Sequence, residues 1–154
     1  MSNLNWGIVG TGWIGSEMAE ALWAVHGTVY GVCGSSLEKA ENFAKEYKIE
    51  HAYNDLDEML SDKNIHIVYI ATPHNMHYEM MLKSLKAGKH VFCEKAITVN
   101  SRQLEECVKV AKKNNLVICD GVTLLHMPLY KKLWQIVETG DGEIPALGKV
   151  QFIQ

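Results

Sequence analysis

The chain has 154 residues, 15 Lys+Arg against 18 Asp+Glu, and a formal net charge of −3. With 47% hydrophobic and 21% charged residues it reads as globular, with enough chain to bury a sizeable core, which excludes disorder, collagen and a disulfide mini-protein. The mild acidity argues against a nucleic-acid partner, no apolar run approaches the ~18 residues of a membrane helix, and no secretory signal is expected.

Two periodicities alternate along the chain. Residues 4–9 read as a strand, followed by Ile14, Met18, Ala21, Leu22 and Val25 on one helix face, closed by Gly27. Residues 28–33 form the second strand. Ser35 followed by Glu38 reads as a capping box opening a helix that buries Leu37, Ala40, Phe43, Ala44 and Tyr47. A short strand at 51–53 and a short helix at 55–60 follow. The apolar run 66–71 is a strand, Pro73 breaks the chain, and a helix spans 75–87 before Gly88. Residues 90–94 are a strand, and Asn100 caps a helix burying Leu104, Cys107, Val108 and Ala111. Residues 116–121 are a strand and 128–138 a helix. A loop at 139–148 precedes a strand-like run at 149–153 that finds no partner in this chain.

Strands separated by crossover helices must be parallel, and near-continuous apolar strands are covered on both faces. The fold class is therefore α/β, a doubly wound parallel sheet in the order 3-2-1-4-5-6. Residues 1–124 form this domain. Residues 125–154 read as a connecting helix and the first strand of a truncated second domain.

Cys33, Cys93, Cys107 and Cys119 lack C-x-x-C spacing, so they read as small hydrophobes in a reducing cytoplasm. His74 and His77, three apart with no further ligand nearby, make a poor metal site, so no metal is expected. His26, His51, His66 and His90 fall beside turns or strand starts and read as surface or capping residues.

Gly10-Thr11-Gly12-Trp13-Ile14-Gly15 is G-x-G-x-x-G between a strand and a helix, the context of a dinucleotide pyrophosphate site. The frame G-x-x-x-x-G also fits, but Ser16-Glu17 replaces the Lys-Ser/Thr that a triphosphatase loop needs. S-adenosylmethionine and a ligand-free turn are the other readings. About 20 residues on, an NAD site carries an acid. Here stand Ser35 and Ser36, with Lys39 one turn into the helix, so the cofactor is NADP or NAD, with a lean toward NADP.

Ala71-Thr72-Pro73-His74-Asn75-Met76-His77 resembles the A-T-P-x-x-x-H segment of the Gfo/Idh/MocA oxidoreductases. Residues 87–95 (AGKHVFCEK) resemble that family's A-G-K-H-V-x-x-E-K-P, and Glu38-Lys39-Ala40 matches in place. The resemblance covers the chain from about residue 4 to its end. It implies a Rossmann domain followed by an α+β domain that this chain lacks. The implied activity is NAD(P)-dependent hydride transfer on a sugar, cyclitol or other polyol, with a homo-oligomer at full length and little activity from this chain alone. It also implies site residues. Gly10, Thr11, Gly12, Trp13 and Ile14 would line the pyrophosphate, and Ser35, Ser36 and Lys39 the adenosine ribose. Ala71, Thr72, Pro73, Asn75 and His77 would lie along the cofactor's middle. Glu94 and Lys95 would lie beside the nicotinamide, with Lys95 as the catalytic residue reaching substrate. A positioned ammonium suits that chemistry, because it stabilises negative charge on a carbonyl oxygen or donates a proton. The family's proline after Glu-Lys is Ala96 here, and His126 is a further site candidate. The alternative function is a dinucleotide sensor without chemistry.

Overall fold

Strand β1 (Asn5–Val9) lies inside a six-stranded sheet because it is apolar on both faces: Ile8 faces one core and Val9 the other. The computed structural model describes residues 4–138 and the pairs 143–144 and 148–149. After β1 come α1 (Trp13–Ala24), β2 (Thr28–Cys33), α2 (Leu37–Glu46), β3 (His51–Tyr53), α3 (Leu56–Ser61) and β4 (Ile67–Ile70). A 3-10 turn (His74–Met76) leads into α4 (His77–Lys86), followed by β5 (His90–Cys93), α5 (Ser101–Lys113) and β6 (Ile118–Asp120). The sheet runs β3-β2-β1-β4-β5-β6 and every pairing is parallel, the expected doubly wound order.

Helices α1 and α2 cover one face, packing Ala19, Leu22, Phe43 and Ala44 on Ile8, Val32 and Tyr69. The other face packs Met59, Met81, Leu85, Cys107 and Ala111 on Val9, Val68, Ile70 and Cys93. At the amino ends of the strands, Lys89 is buried and its Nζ donates to the carbonyls of Asp62 (2.7 Å) and Ile65 (2.8 Å). His66 and His90 do cap strand starts, their Nδ1 atoms accepting from the N–H of Asn5 (3.0 Å) and Val117 (3.1 Å).

Several expectations need correction. The buried stripe of α1 is Gly15, Ala19 and Leu22, whereas Ala21 and Val25 are exposed, because close packing of Gly15 on the Gly10 carbonyl rotates the helix. Leu37 is exposed at the start of α2. Cys119 is exposed, since β6 is an edge strand, whereas Cys33, Cys93 and Cys107 are buried. Within the expected loop, β7 (Glu143–Ile144) pairs antiparallel with β8 (Gly148–Lys149); residues 150–153 of the expected final strand lie outside the described residues.

The chain divides into two compact units, one ending at Gly121 and one starting at Val122. The second holds a 3-10 turn (Thr123–His126) and α6 (Pro128–Glu138). No helix among the described residues is long and apolar enough to cross a membrane.

Candidate functional site

The loops after β1, β2 and β4 leave the carboxyl ends of neighbouring strands where the strand order reverses. Open α/β sheets take their ligands in that crevice. Gly10 has φ 114°, and a Cβ there would sit 2.5 Å from the Ala71 carbonyl oxygen, so the turn requires glycine. Gly12 is the opposite case: nothing lies within 4 Å of the place its Cβ would take. That open side lets a ligand come against bare backbone. Gly12 also caps α1 without any side-chain hydrogen bond, and no acid occupies the first turn. Helices α2, α3 and α5 are capped by Ser36, Asp55 and Asn100. The first N–H groups of α1 therefore remain for an anion, which the helix dipole favours.

A groove of about 440 Å³ runs across these loops. It is lined by residues 9–12, 33–35 and 71–73 with Asn54, Leu56, Met76 and Met80. A second hollow of about 510 Å³ adjoins it at Thr11 and Gly12 and is lined by Lys39, Asn42, Phe43 and Glu46. Of the expected cofactor residues, Gly10, Thr11, Gly12, Ser35, Ala71, Thr72 and Pro73 line the groove and Lys39 lines the hollow. Lys39 Nζ donates to Ser35 Oγ at 3.3 Å, so the two share one corner. Burial of Cys33 pushes its thiol up to about 11, so it is a neutral part of the groove wall.

The remaining expected residues stand elsewhere. Ser36, rather than Ser35, caps α2, its Oγ accepting from the Lys39 N–H, which corrects the capping-box reading. Trp13 begins α1 and is 73% exposed. Ile14 packs against the core under α1, and Asn75 is exposed on the 3-10 turn. His77 is 1% exposed and is not part of the groove wall; its ring nitrogens face the carbonyls of Thr72 (2.8 Å) and Ala96 (2.9 Å). Glu94 and Lys95 follow β5. Glu94 Oε1 accepts from Tyr69 Oη at 2.6 Å and its Oε2 from the Lys95 N–H at 3.2 Å, while Lys95 itself is exposed. The Lys95–Ala96 peptide is cis. His126 lies in the second unit. Among the described residues no cluster of three or more His, Cys, Asp or Glu side chains could hold a metal ion.

Sequence reasoning missed Asn54, Leu56, Met76, Met80 and Asn42. Asn54 and Leu56 follow β3, and the third strand of such a sheet ends beside the second, which is the signal that could have found them. Gly121 was also missed: a Cβ there would lie 3.0 Å from Glu94 Oε1, so its bareness leaves room for that carboxylate.

Residues 4–121 match the oxidoreductase family with an NAD-binding Rossmann fold, Gfo/Idh/MocA. This chain belongs to the Gfo/Idh/MocA family. It is 33% identical over 152 residues to trans-1,2-dihydrobenzene-1,2-diol dehydrogenase of Xenopus laevis, covering 97% of this chain and 44% of that protein. It is 33% identical over 153 residues to D-xylose 1-dehydrogenase (NADP(+)) of Hypocrea jecorina, covering 90% and 39%. The crystal structure of a probable dehydrogenase from Thermotoga maritima matches with a TM-score of 0.82 at 29% identity, covering 89% of this chain and 41% of that one. The chain thus spans about two fifths of the length of the relatives it matches. A Gfo/Idh/MocA Rossmann domain binds NAD(P), and the open side of Gly12, the free start of α1 and the groove fit such a dinucleotide.

Proposed function

We propose that this chain is the cofactor-binding part of an NADP-preferring dehydrogenase acting on a sugar, cyclitol or other polyol. The observation that carries it is the continuous groove from the glycine turn to residues 71–73, with a hollow at Lys39 beside it. When bound, the nicotinamide supplies the carbon that accepts or gives up hydride.

The chain's own residues do the rest. Gly12 and the first turn of α1 hold the diphosphate with backbone N–H groups. Ser35 and Lys39 take the group on the adenosine ribose. No carboxylate stands at the end of β2 to repel a 2′-phosphate, and the Lys39 ammonium attracts one. The NADP named for the xylose relative supports the same choice. Residues 71–73 wall the middle of the groove. Lys95, exposed at the end of β5, presents an ammonium where a substrate oxygen gains negative charge, stabilising it or giving it a proton. The free thiols suit a reducing cytoplasm.

We place substrate binding in the part of the relatives' length that this chain does not match, and expect the 154 residues alone to bind cofactor without turnover. A chimera with a substrate domain of the same family tests Lys95. Lys95→Ala should lower hydride exchange about 10²–10⁴-fold while leaving NADP+ affinity within about twofold. A variant as active as the parent contradicts the role.

A further inference from the structure

Three polar side chains among the described residues are buried: His77, Ser84 and Lys89. Ser84 Oγ donates to the Met80 carbonyl inside its own helix, and Lys89 ties loops at the amino ends of the strands. His77 stands at the carboxyl ends, on the first turn of α4, and joins two separate loops. Its Nε2 lies 2.8 Å from the Thr72 carbonyl oxygen, in the loop after β4. Its Nδ1 lies 2.9 Å from the Ala96 carbonyl oxygen, in the loop after β5.

Carbonyl oxygens only accept, so each contact needs an N–H on the ring. Both are made when the ring carries two. With one, a bare nitrogen faces an oxygen lone pair. The two loops held in this way are those that carry Thr72 and Pro73 on the groove wall and Lys95 next to Ala96. An apolar side chain would fill the same space at lower desolvation cost, but it could not tie them.

We propose that His77 is a positioning residue: its ring clasps the Thr72 and Ala96 carbonyls and thereby sets the Thr72–Pro73 wall, on which nicotinamide affinity depends, and Lys95 beside it at the nicotinamide end of the groove. It acts through backbone and does not touch the ligand. The glycine turn and the Ser35–Lys39 corner hold the other end of the groove and do not depend on it.

This inference rests on the proposed dinucleotide site, and the experiment separates the two. Calorimetric titrations compare each dinucleotide with the same molecule lacking nicotinamide: NADP+ with 2′-phospho-ADP-ribose, and NAD+ with ADP-ribose. In His77→Gln and His77→Asn the nicotinamide-bearing ligand should weaken about tenfold, the loss of one positioning hydrogen bond. The truncated ligand should stay within about twofold. Equal weakening of both, or of neither, overturns the positioning role. A wild-type chain that binds none of the four overturns the dinucleotide reading and this inference with it. Should the variants fail to fold, ¹⁵N NMR of the wild-type ring decides. A ring N–H hydrogen-bonded to a backbone carbonyl is expected, and a ring without one contradicts the clasp.

Discussion

The Tyr69 hydroxyl donates to Glu94 Oε1 at 2.6 Å, so a residue on β4 fixes the carboxylate that immediately precedes Lys95. Tyr69 is buried, and that burial, with the carboxylate beside it, pushes its phenol well above the ordinary tyrosine range. Tyr69→Phe keeps the ring packing on Phe92 and deletes only the bond. A hydrogen bond to a charged group contributes about 1.5–3 kcal/mol, and the half-buried Glu94 places this one at the low end. Urea unfolding of Tyr69→Phe should show a loss of about 1–2 kcal/mol. An unchanged midpoint would mean that the phenol does not hold the carboxylate.

The two turn glycines should respond in opposite ways. At Gly12→Val the Cβ meets no protein atom within 4 Å and φ is an ordinary −92°, so its melting temperature should fall far less than that of Gly10→Ala. Its dinucleotide affinity should fall about tenfold or more, because the new methyl groups fill the space a diphosphate needs. Gly10→Ala places a Cβ against the Ala71 carbonyl at a positive φ, and should lose about 2–3 kcal/mol of stability. A stable Gly10→Ala, or a Gly12→Val that binds normally, contradicts the geometry of the turn.

Lys39→Ala tests cofactor choice. NADP+ affinity should drop about five- to tenfold with the ammonium gone, and NAD+ affinity should hold within about twofold. A drop for both cofactors alike would place Lys39 at the shared diphosphate instead.

Alkaline pH should unfold the domain earlier than its surface charges would. Burial raises the thiols of Cys33 and Cys107 to about 11 and that of Cys93 to about 12, from 9.0 in the open chain. Below the open-chain value both states keep these protons, and stability does not depend on them. Above it the unfolded chain releases protons the folded one retains, so stability falls as pH rises toward the folded values. At about pH 10 the loss is roughly 1 kcal/mol per thiol. Urea midpoints should be flat from about pH 7 to 8 and fall beyond. A Cys93→Ser variant whose alkaline fall matches wild type would contradict the assignment.

The architecture was legible because its signals are local. Apolar runs such as 66–71 name parallel strands, and G-x-G-x-x-G between a strand and a helix marks the crevice. The loops that line the groove were legible as far as motifs reached, through residues 10–12 and 71–73. What escaped depends on packing between distant segments. Two adjacent serines both offer a cap for α2, and only the fold selects Ser36. The stripe of α1 turns on how closely Gly15 approaches the Gly10 carbonyl, which helical period does not show. Cys119 sits in an apolar run on a strand the expected order already put at the edge, but the apolar run alone did not show that its side chain stays uncovered there. The resemblance set His77 along the cofactor's middle, whereas it is buried behind two loops, a placement that comes from their meeting in space. Met76 and Met80 belong to no motif and reach the groove only because the 3-10 turn leads into α4 beside it.

The central claim is that this groove binds a nicotinamide dinucleotide. Its most direct test is the shift in melting temperature of the 154-residue chain with NADP+, NAD+ or S-adenosylmethionine at equal concentration. The account predicts stabilisation by both dinucleotides, larger for NADP+, and none by the methyl donor. Stabilisation by S-adenosylmethionine alone would contradict it.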